Sequence, residues 1–146
     1  LGPIDRTYGH RALAVGDAAG LVKATTGGGI YYSLLSGRLA AETIGKCLRA
    51  GTLDAEALSE YERRWRAELA DEFDAQMHLR RLSHHLVDDE IDGLFDLART
   101  DGVGIMPLVR KTAKFNKHRD VIVSLLAHPS ARRVLMRRVL GWGRTA

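Results

Sequence analysis

Residues 16–30, with the sequence GDAAGLVKATTGGGI, are the stretch that decides how this chain is interpreted. They follow a short apolar run, residues 11–15, which is bounded by turn residues and predicts a buried β-strand. Asp17 comes directly after this strand, at the carboxyl end where α/β folds bind ligands. The turn Gly27–Gly29 has no side chains, so its backbone amides can approach a ligand closely. The stretch therefore predicts a ligand site between a strand and the helix that follows it.

A helix is predicted to begin near Ile30, directly after the glycine turn, and to end at Gly51. Its apolar and small residues recur at steps of three and four, at Ile30, Leu34, Gly37, Ala41, Ile44 and Leu48. One face is small throughout and consists of Ser33, Ser36, Gly37, Ala40 and Ala41. Such a face allows close approach to a flat ligand or to another backbone, and it is equally typical of close packing on a sheet. The free N–H groups at the start of the helix point to the same place as the glycine turn.

A second, long helix is predicted after Asp54, which is a suitable N-cap residue. Its apolar positions are Leu58, Tyr61, Trp65, Leu69, Phe73, Met77, Leu79, Leu82 and Leu86. Trp65 and Tyr61 are expected in the helix core, and charged residues that include Glu72 are expected on its wet face. For Tyr31 and Tyr32, just after the glycine turn, lining a substrate and packing against the sheet are equally open.

The rest of the chain is also predicted to be helical. A third helix begins at Asp88 or Asp89, Pro107 marks a further boundary, and short helices are predicted over residues 118–128 and 130–140. A single strand cannot form a sheet, and its apolar residues on both faces call for neighbouring strands and covering helices. The order of elements therefore indicates the carboxy-terminal part of a larger protein.

The composition is that of an ordinary globular chain, with 146 residues, 45% hydrophobic and 27% charged. It excludes a disordered tail and a disulfide scaffold, and no apolar run reaches the roughly 18 residues of a membrane-spanning helix. Cys47 has no partner for an internal disulfide and is expected to be a small buried side chain rather than a nucleophile. No charged leader precedes an apolar stretch, so a cytoplasmic location is expected.

The charge is concentrated at one end of the chain. Residues 1–109 carry 12 basic and 17 acidic residues, a net charge of −5, whereas residues 110–146 carry 10 and 1, a net charge of +9. The tail combines Arg132, Arg133, Arg137 and Arg138 with apolar residues and Trp142. This combination suits peripheral contact with an anionic membrane surface, and a solvated basic face is the alternative. Nucleic-acid binding is disfavoured, because no recognised base-reading module accompanies the charge.

The glycine-rich stretch resembles the second flavin-binding motif of FAD-dependent oxidoreductases, the group that contains aromatic-ring hydroxylases and geranylgeranyl reductases. The resemblance rests on Gly16–Gly20, on Thr25–Ile30 and on Ser36-Gly37. The sequence most resembles the geranylgeranyl reductase branch of this group. This holds for residues 22–32, VKATTGGGIYY, and for the preceding residues 2–8. One departure is Ala24, which stands where relatives commonly carry proline.

The resemblance implies a fold class, a cofactor and a reaction. It implies an α/β fragment, in which residues 1–51 are the last strand and helix of an FAD-binding Rossmann-like domain. Residues 52–146 are then a mostly α-helical region with the basic tail. FAD is the implied cofactor, with Asp17 on its ribityl chain. The implied reaction is transfer of hydride from reduced flavin to carbon–carbon double bonds of an isoprenoid lipid.

The cofactor-binding residues implied by the resemblance are Gly16, Asp17, Ala18, Gly27, Gly28, Gly29 and Ile30. The chain has no strand-Gly-x-Gly-x-x-Gly-helix unit for the ADP half of FAD, so by itself it is expected to bind FAD weakly or not at all. No catalytic residue is predicted, because the substrate-binding sheet is not in the chain.

Three other interpretations remain open from the residues alone. A flavin-dependent monooxygenase or halogenase would share the glycine motif. A non-enzymatic helical module that binds lipid or nucleic acid would use the glycine loop only as structure. His84 and Asp88 are one helical turn apart and resemble a metal-ligand pair, but solvated side chains are the favoured interpretation and no metal site is predicted.

Overall fold

A computed structural model describes residues 2–100, 105–114, 116–130 and 132 of the chain. Its elements are two short strands, β1 (Tyr8–Gly9) and β2 (Ala12–Leu13), a 3₁₀ helix (Gly16–Ala19), and the helices α1 (Ile30–Ala50), α2 (Ala55–Ser83), α3 (Asp88–Thr100), α4 (Ile105–Thr112) and α5 (Arg119–Ala127). The chain divides into two compact units, Leu1–Met77 and His78–Ala146. A mostly helical chain with a minimal sheet agrees with the expected fragment. The predicted domain boundary after residue 51 stays a prediction.

The strand predicted over residues 11–15 is shorter and less buried than expected. β1 and β2 pair antiparallel, with Tyr8 opposite Leu13 and Gly9 opposite Ala12. Arg11 turns the hairpin with a φ of 57°. The strand covers only Ala12–Leu13 of the predicted residues, with Ala12 exposed and Leu13 half-buried. Its burial by elements outside this chain stays a prediction. The apolar run forms one arm of a small hairpin and then enters the 3₁₀ helix at Gly16.

Helix α1 has the bounds that the sequence predicts. Gly51 ends it in the left-handed conformation, with a φ of 71°, because glycine adopts this conformation without steric cost. The apolar residues whose spacing predicts this helix do not form its buried face. Ile30 is 81% exposed and Leu34 is 71% exposed. The buried face is offset from that stripe and consists of Tyr32, Leu35, Ser36, Leu39, Ala40, Thr43 and Cys47.

Helix α2 begins as predicted, because Asp54 Oδ1 accepts a hydrogen bond of 2.8 Å from the Ala57 amide. The first part of its predicted apolar stripe is confirmed, with Leu58, Tyr61, Trp65, Leu69 and Phe73 all buried. The later positions Met77, Leu79 and Leu82 are half-buried, and Leu86 lies beyond the end of α2. Glu72 was expected on the wet face, and that prediction was wrong, since it is only 4% exposed. Gln76 lies one turn further along and is also buried.

The core of the first unit forms where α1 meets α2. The rings of Tyr32 and Phe73 lie 5.1 Å apart between centroids, and those of Phe73 and Trp65 lie 6.4 Å apart. The ion pair of Lys46 with Glu60, at 2.7 Å, extends this contact on the surface. The two helices therefore run antiparallel and bury their aromatic residues between them.

The second unit contains the end of α2 and the helices α3 to α5. Pro107 lies in the first turn of α4, where a missing N–H costs no hydrogen bond. A cavity of about 450 Å³ is lined by Leu79, Ser83, Leu86, Ile91, Leu94 and Phe95. The predicted helix over residues 130–140 and most of the basic tail lie outside the described residues. Among the described helices, none combines the length and the apolar character that crossing a membrane requires.

Candidate functional site

The 3₁₀ helix and the start of α1 bring Asp17 and Gly29 together. Asp17 is exposed, and Gly29 is the N-cap residue of α1. A methyl group on Gly29 would overlap Asp17 Oδ1 and would lie 3.2 Å from its Cγ. The carboxylate therefore occupies the space that a side chain at residue 29 would fill. These two predicted site residues form one continuous surface.

Gly16 and Gly20 bracket the 3₁₀ helix and are required by packing. Gly16 is buried, with a φ of 55°, and its amide donates a hydrogen bond of 3.0 Å to Ser36 Oγ. A side chain at Gly16 would come within 2.5 Å of Ser33 Oγ, and one at Gly20 would overlap the carbonyl oxygen of Gly2. Gly16 therefore packs the loop that carries Asp17 against α1, and Gly20 packs the same loop against the segment of Gly2.

The triple-glycine turn is closed by two backbone hydrogen bonds. The Lys23 amide donates to the Gly28 carbonyl at 3.0 Å, and the Gly27 amide donates to the Lys23 carbonyl at 2.8 Å. Gly27 has a φ of 74°, which disfavours any residue with a side chain. Gly27 and Gly28 are exposed, so the turn presents bare backbone to the surroundings.

The amino terminus of α1 lies directly beside this turn. Gly29 provides no side-chain cap, and the Ser33 amide makes the first helical hydrogen bond, of 2.8 Å, to the Gly29 carbonyl. The preceding N–H groups have no partner within the helix and carry the positive end of its dipole. Ile30 is 81% exposed at the same place, and Ala18 is exposed as well. The arrangement offers a carboxylate acceptor next to backbone donors on an open surface.

Two residues that hold this site together escaped the sequence analysis. Gln76 Oε1 accepts a hydrogen bond of 3.0 Å from the Ala24 amide, and Gln76 Nε2 donates to Tyr32 Oη at 3.1 Å. Glu72 Oε1 accepts from Gln76 Nε2 at 2.6 Å. The available signal was helical spacing, since residues 72 and 76 continue the face of Leu69. Tyr32 is fully buried, which answers the question left open for it in favour of packing.

Several curated proteins are similar to this chain. It is 35% identical over 112 residues to a digeranylgeranylglycerophospholipid reductase of Methanocaldococcus jannaschii, a match that covers 75% of this chain and 29% of the relative. It is 38% identical over 93 residues to digeranylgeranylglycerophospholipid reductase 2 of Methanothermobacter thermautotrophicus, with 64% and 24% covered. The chain belongs to the geranylgeranyl reductase family. A third relative, from Methanothrix thermoacetophila, is 32% identical over 107 residues, covering 73% of this chain and 27% of the relative.

The chain spans about a quarter of the length of the curated relatives it matches. The share is between 24% and 29% for these three reductases. No protein-family model matches it. No solved structure matches it either.

The other residues that the sequence analysis singled out lie apart from the glycine loop in sequence. Cys47 is buried, as predicted, on the inner face of α1. Trp65 and Tyr61 are fully buried in the core, also as predicted. His84 is exposed, and the described residues contain no cluster of three or more His, Cys, Asp or Glu side chains suited to a metal ion.

Proposed function

We propose that this chain is the carboxy-terminal part of an FAD-dependent oxidoreductase, and that residues 16–30 are its second flavin-binding motif. The relatives are named as reductases of a digeranylgeranylglycerophospholipid, which supports reduction of carbon–carbon double bonds in an isoprenoid lipid. Since the chain spans about a quarter of those relatives, this activity belongs to the whole protein. In this proposal residues 1–51 complete an FAD-binding Rossmann-like domain.

The observation that carries the proposal is the contact of Asp17 with Gly29 at the start of α1. The carboxylate accepts no hydrogen bond from a described residue, so its oxygens are available to ligand hydroxyl groups. An extended polyol such as a ribityl chain presents several such hydroxyl groups. Gly27, Gly28 and the open α1 terminus would then face the ring system with backbone amides only. These residues fit a flavin, because a turn without side chains lets a flat ring system approach the backbone amides closely.

The division of work between cofactor and chain follows from these contacts. When bound, reduced flavin would supply a hydride, which carries two electrons and one hydrogen, and a separate proton would complete the saturation of a carbon–carbon double bond. Asp17 binds and orients the polyol part of the cofactor. The amino terminus of α1 stabilises a negative charge on a ligand bound beside it by about 0.3–1 kcal/mol, the usual contribution of a helix dipole. Peripheral contact of residues 132–142 with an anionic membrane stays a prediction.

The deciding experiment uses the full-length protein with Asp17→Ala, and it measures bound flavin by visible absorbance and FAD affinity by titration. Loss of a hydrogen bond that a ligand hydroxyl group donates to a charged carboxylate costs about 1.5–3 kcal/mol. FAD should therefore bind about tenfold to a hundredfold more weakly. Asp74→Ala is the matched control, since Asp74 is an exposed aspartate on α2 outside the site. Unchanged affinity in Asp17→Ala would refute the assignment of the motif.

Two further outcomes separate the alternatives. A full-length protein that purifies without flavin and takes up none would be a non-enzymatic binding module. Fast reoxidation by oxygen coupled to hydroxylation or halogenation would identify a monooxygenase or halogenase instead of a reductase. The names of the relatives favour the reductase.

A further inference from the structure

The side chain of Gln76 joins three separate segments of the first unit. Gln76 lies on α2 and is fully buried. Its oxygen accepts from the Ala24 amide at 3.0 Å, and its nitrogen donates to Tyr32 Oη at 3.1 Å and to Glu72 Oε1 at 2.6 Å. One amide group therefore makes three hydrogen bonds. Because Gln76 is fully buried, bulk water cannot replace any of them.

These bonds fix the orientation of the amide. If it were rotated by a half turn, the NH₂ group would face the Ala24 N–H, and the oxygen would face the Glu72 carboxylate. Both contacts would be repulsive in a buried site, where unpaired polar groups are costly. Gln76 therefore has one favourable arrangement, and it holds its partners at set distances.

One of the partners is the base of the glycine turn. Ala24 is 1% exposed and follows Lys23, whose amide and carbonyl close the turn through Gly28 and Gly27. A shift of Ala24 would move Lys23 and hence both glycines. The bond from Ala24 to Gln76 thus sets the position of the turn relative to α2.

Another partner is the first turn of α1. Tyr32 is fully buried and comes two residues after Ile30, with which α1 begins. Burial raises the pKa of Tyr32 to about 12, and the neutral hydroxyl oxygen accepts the hydrogen bond from Gln76 Nε2. The ring of Tyr32 packs on Phe73 of the same helix α2. The two parts of the candidate flavin site are therefore both attached to one side chain.

We propose that Gln76 is a positioning residue that fixes the spacing between the triple-glycine turn and the amino terminus of α1. The inference rests on the proposed flavin site. It adds that a residue of α2, a helix outside the flavin-facing surface, determines the spacing within that site. Gln76 acts through Ala24 and Tyr32 and touches no part of the cofactor surface described above. Its loss would change how tightly the site holds a flavin and the environment of the flavin rings.

The test uses the full-length protein with Gln76→Leu, which keeps the approximate size of the side chain and removes all three hydrogen bonds. We expect at least tenfold weaker FAD binding to the deflavinated protein, and an altered visible absorbance spectrum of the flavin that remains bound. Tyr32→Phe is the second variant and removes one of the three bonds while retaining the ring. It should weaken FAD binding severalfold, and it decides the question if Gln76→Leu does not fold.

Glu62→Gln is the matched control, since Glu62 also lies on α2 and anchors another segment through the Thr7 amide at 2.6 Å. It should lower thermal stability while FAD affinity and the flavin spectrum stay at wild-type values. The inference is overturned if folded Gln76→Leu equals wild type in both flavin measurements, or if Glu62→Gln changes them equally. A wild-type protein that binds no flavin would instead refute the proposed function.

Discussion

Asp17 Oδ1 occupies the position where a Cβ atom of residue 29 would lie, so a side chain at Gly29 would displace this carboxylate. The two residues are brought together by the 3₁₀ helix (Gly16–Ala19) on one side and the amino terminus of α1 on the other. The carboxylate thereby lies beside the first turn of the helix. The same contact makes the motif sensitive to the smallest possible substitution.

We therefore expect Gly29→Ala to weaken FAD binding by the full-length protein at least tenfold. The added methyl group would overlap Asp17 Oδ1 and force the carboxylate to move. Gly29 has a φ of −115°, which alanine adopts freely, so the effect would come from the contact and not from backbone strain. FAD titration of the deflavinated variant measures it.

Gly45→Ala is the control for this prediction, because Gly45 lies within α1 and outside the candidate flavin site. A methyl group there would meet its nearest neighbour, Arg49 Nη1, at 3.6 Å, an ordinary van der Waals distance. FAD affinity within about threefold of wild type is expected. Equal affinities for Gly29→Ala and wild type would show that Asp17 is not held against residue 29.

The backbone requirements of the loop were predictable from its sequence, but the reason for each glycine was not. Consecutive glycines predict a tight turn, and Gly27 does have a positive φ. That Gly16 faces Ser33, and that Gly20 faces the backbone of Gly2, depends on how distant segments pack. A sequence pattern reports conformational freedom, whereas a close approach between segments becomes visible only in three dimensions.

Gly20→Ala should destabilise the chain by more than about 1 kcal/mol. Its φ of 69° is unfavourable for alanine, at a cost of about 1–2 kcal/mol, and its methyl group would overlap the carbonyl oxygen of Gly2. The measurement is the free energy of unfolding in urea. Gly37→Ala is the control, because Gly37 lies within α1 with open space around it and alanine should stabilise that helix by about 0.5–1 kcal/mol. Similar changes for the two variants would contradict the packing of Gly20.

The stability of the chain should depend on the ionisation of Glu62. Burial by itself would raise the pKa of Glu62, but hydrogen bonds from Thr7 and Arg66 outweigh it and lower that pKa. A lowered pKa means that the folded state prefers the carboxylate. This contribution is present above the ordinary titration range of glutamate, about pH 4–5, and is lost as the pH falls through the folded-state pKa.

The free energy of unfolding of the wild-type chain should therefore fall more steeply on acidification below about pH 5 than that of Glu62→Gln. Urea denaturation at a series of pH values from neutral to acid gives both curves. Their difference isolates Glu62 from the other carboxylates. Parallel curves would show that the Glu62 contacts do not favour its charged form.

The buried polar residues were the part of the first unit that the sequence did not predict. The sequence analysis placed Glu72 with the other charged residues on the wet face of α2, since charged residues are rarely buried without a partner. Its partner is Gln76, which lies on the same helix but is paired with Ala24 and Tyr32 from elsewhere in the chain. Helical periodicity places residues on a face, but it does not say which polar group from another segment meets them there.

The buried face of α1 gives a direct test of the helix register. Sequence periodicity singled out the stripe that contains Leu34, whereas the structure buries Leu35, which is 8% exposed against 71% for Leu34. In the 146-residue chain, Leu35→Ala should lower the free energy of unfolding by about 2–5 kcal/mol, the usual cost of truncating a buried leucine. Leu34→Ala should change it by less than about 0.5 kcal/mol, since alanine also favours the helix. The two variants have the same composition and adjacent positions, so helix propensity and unfolded-state effects nearly cancel between them. The opposite order of effects would mean that α1 is rotated about its axis, and that Tyr32 is not the residue that meets Gln76.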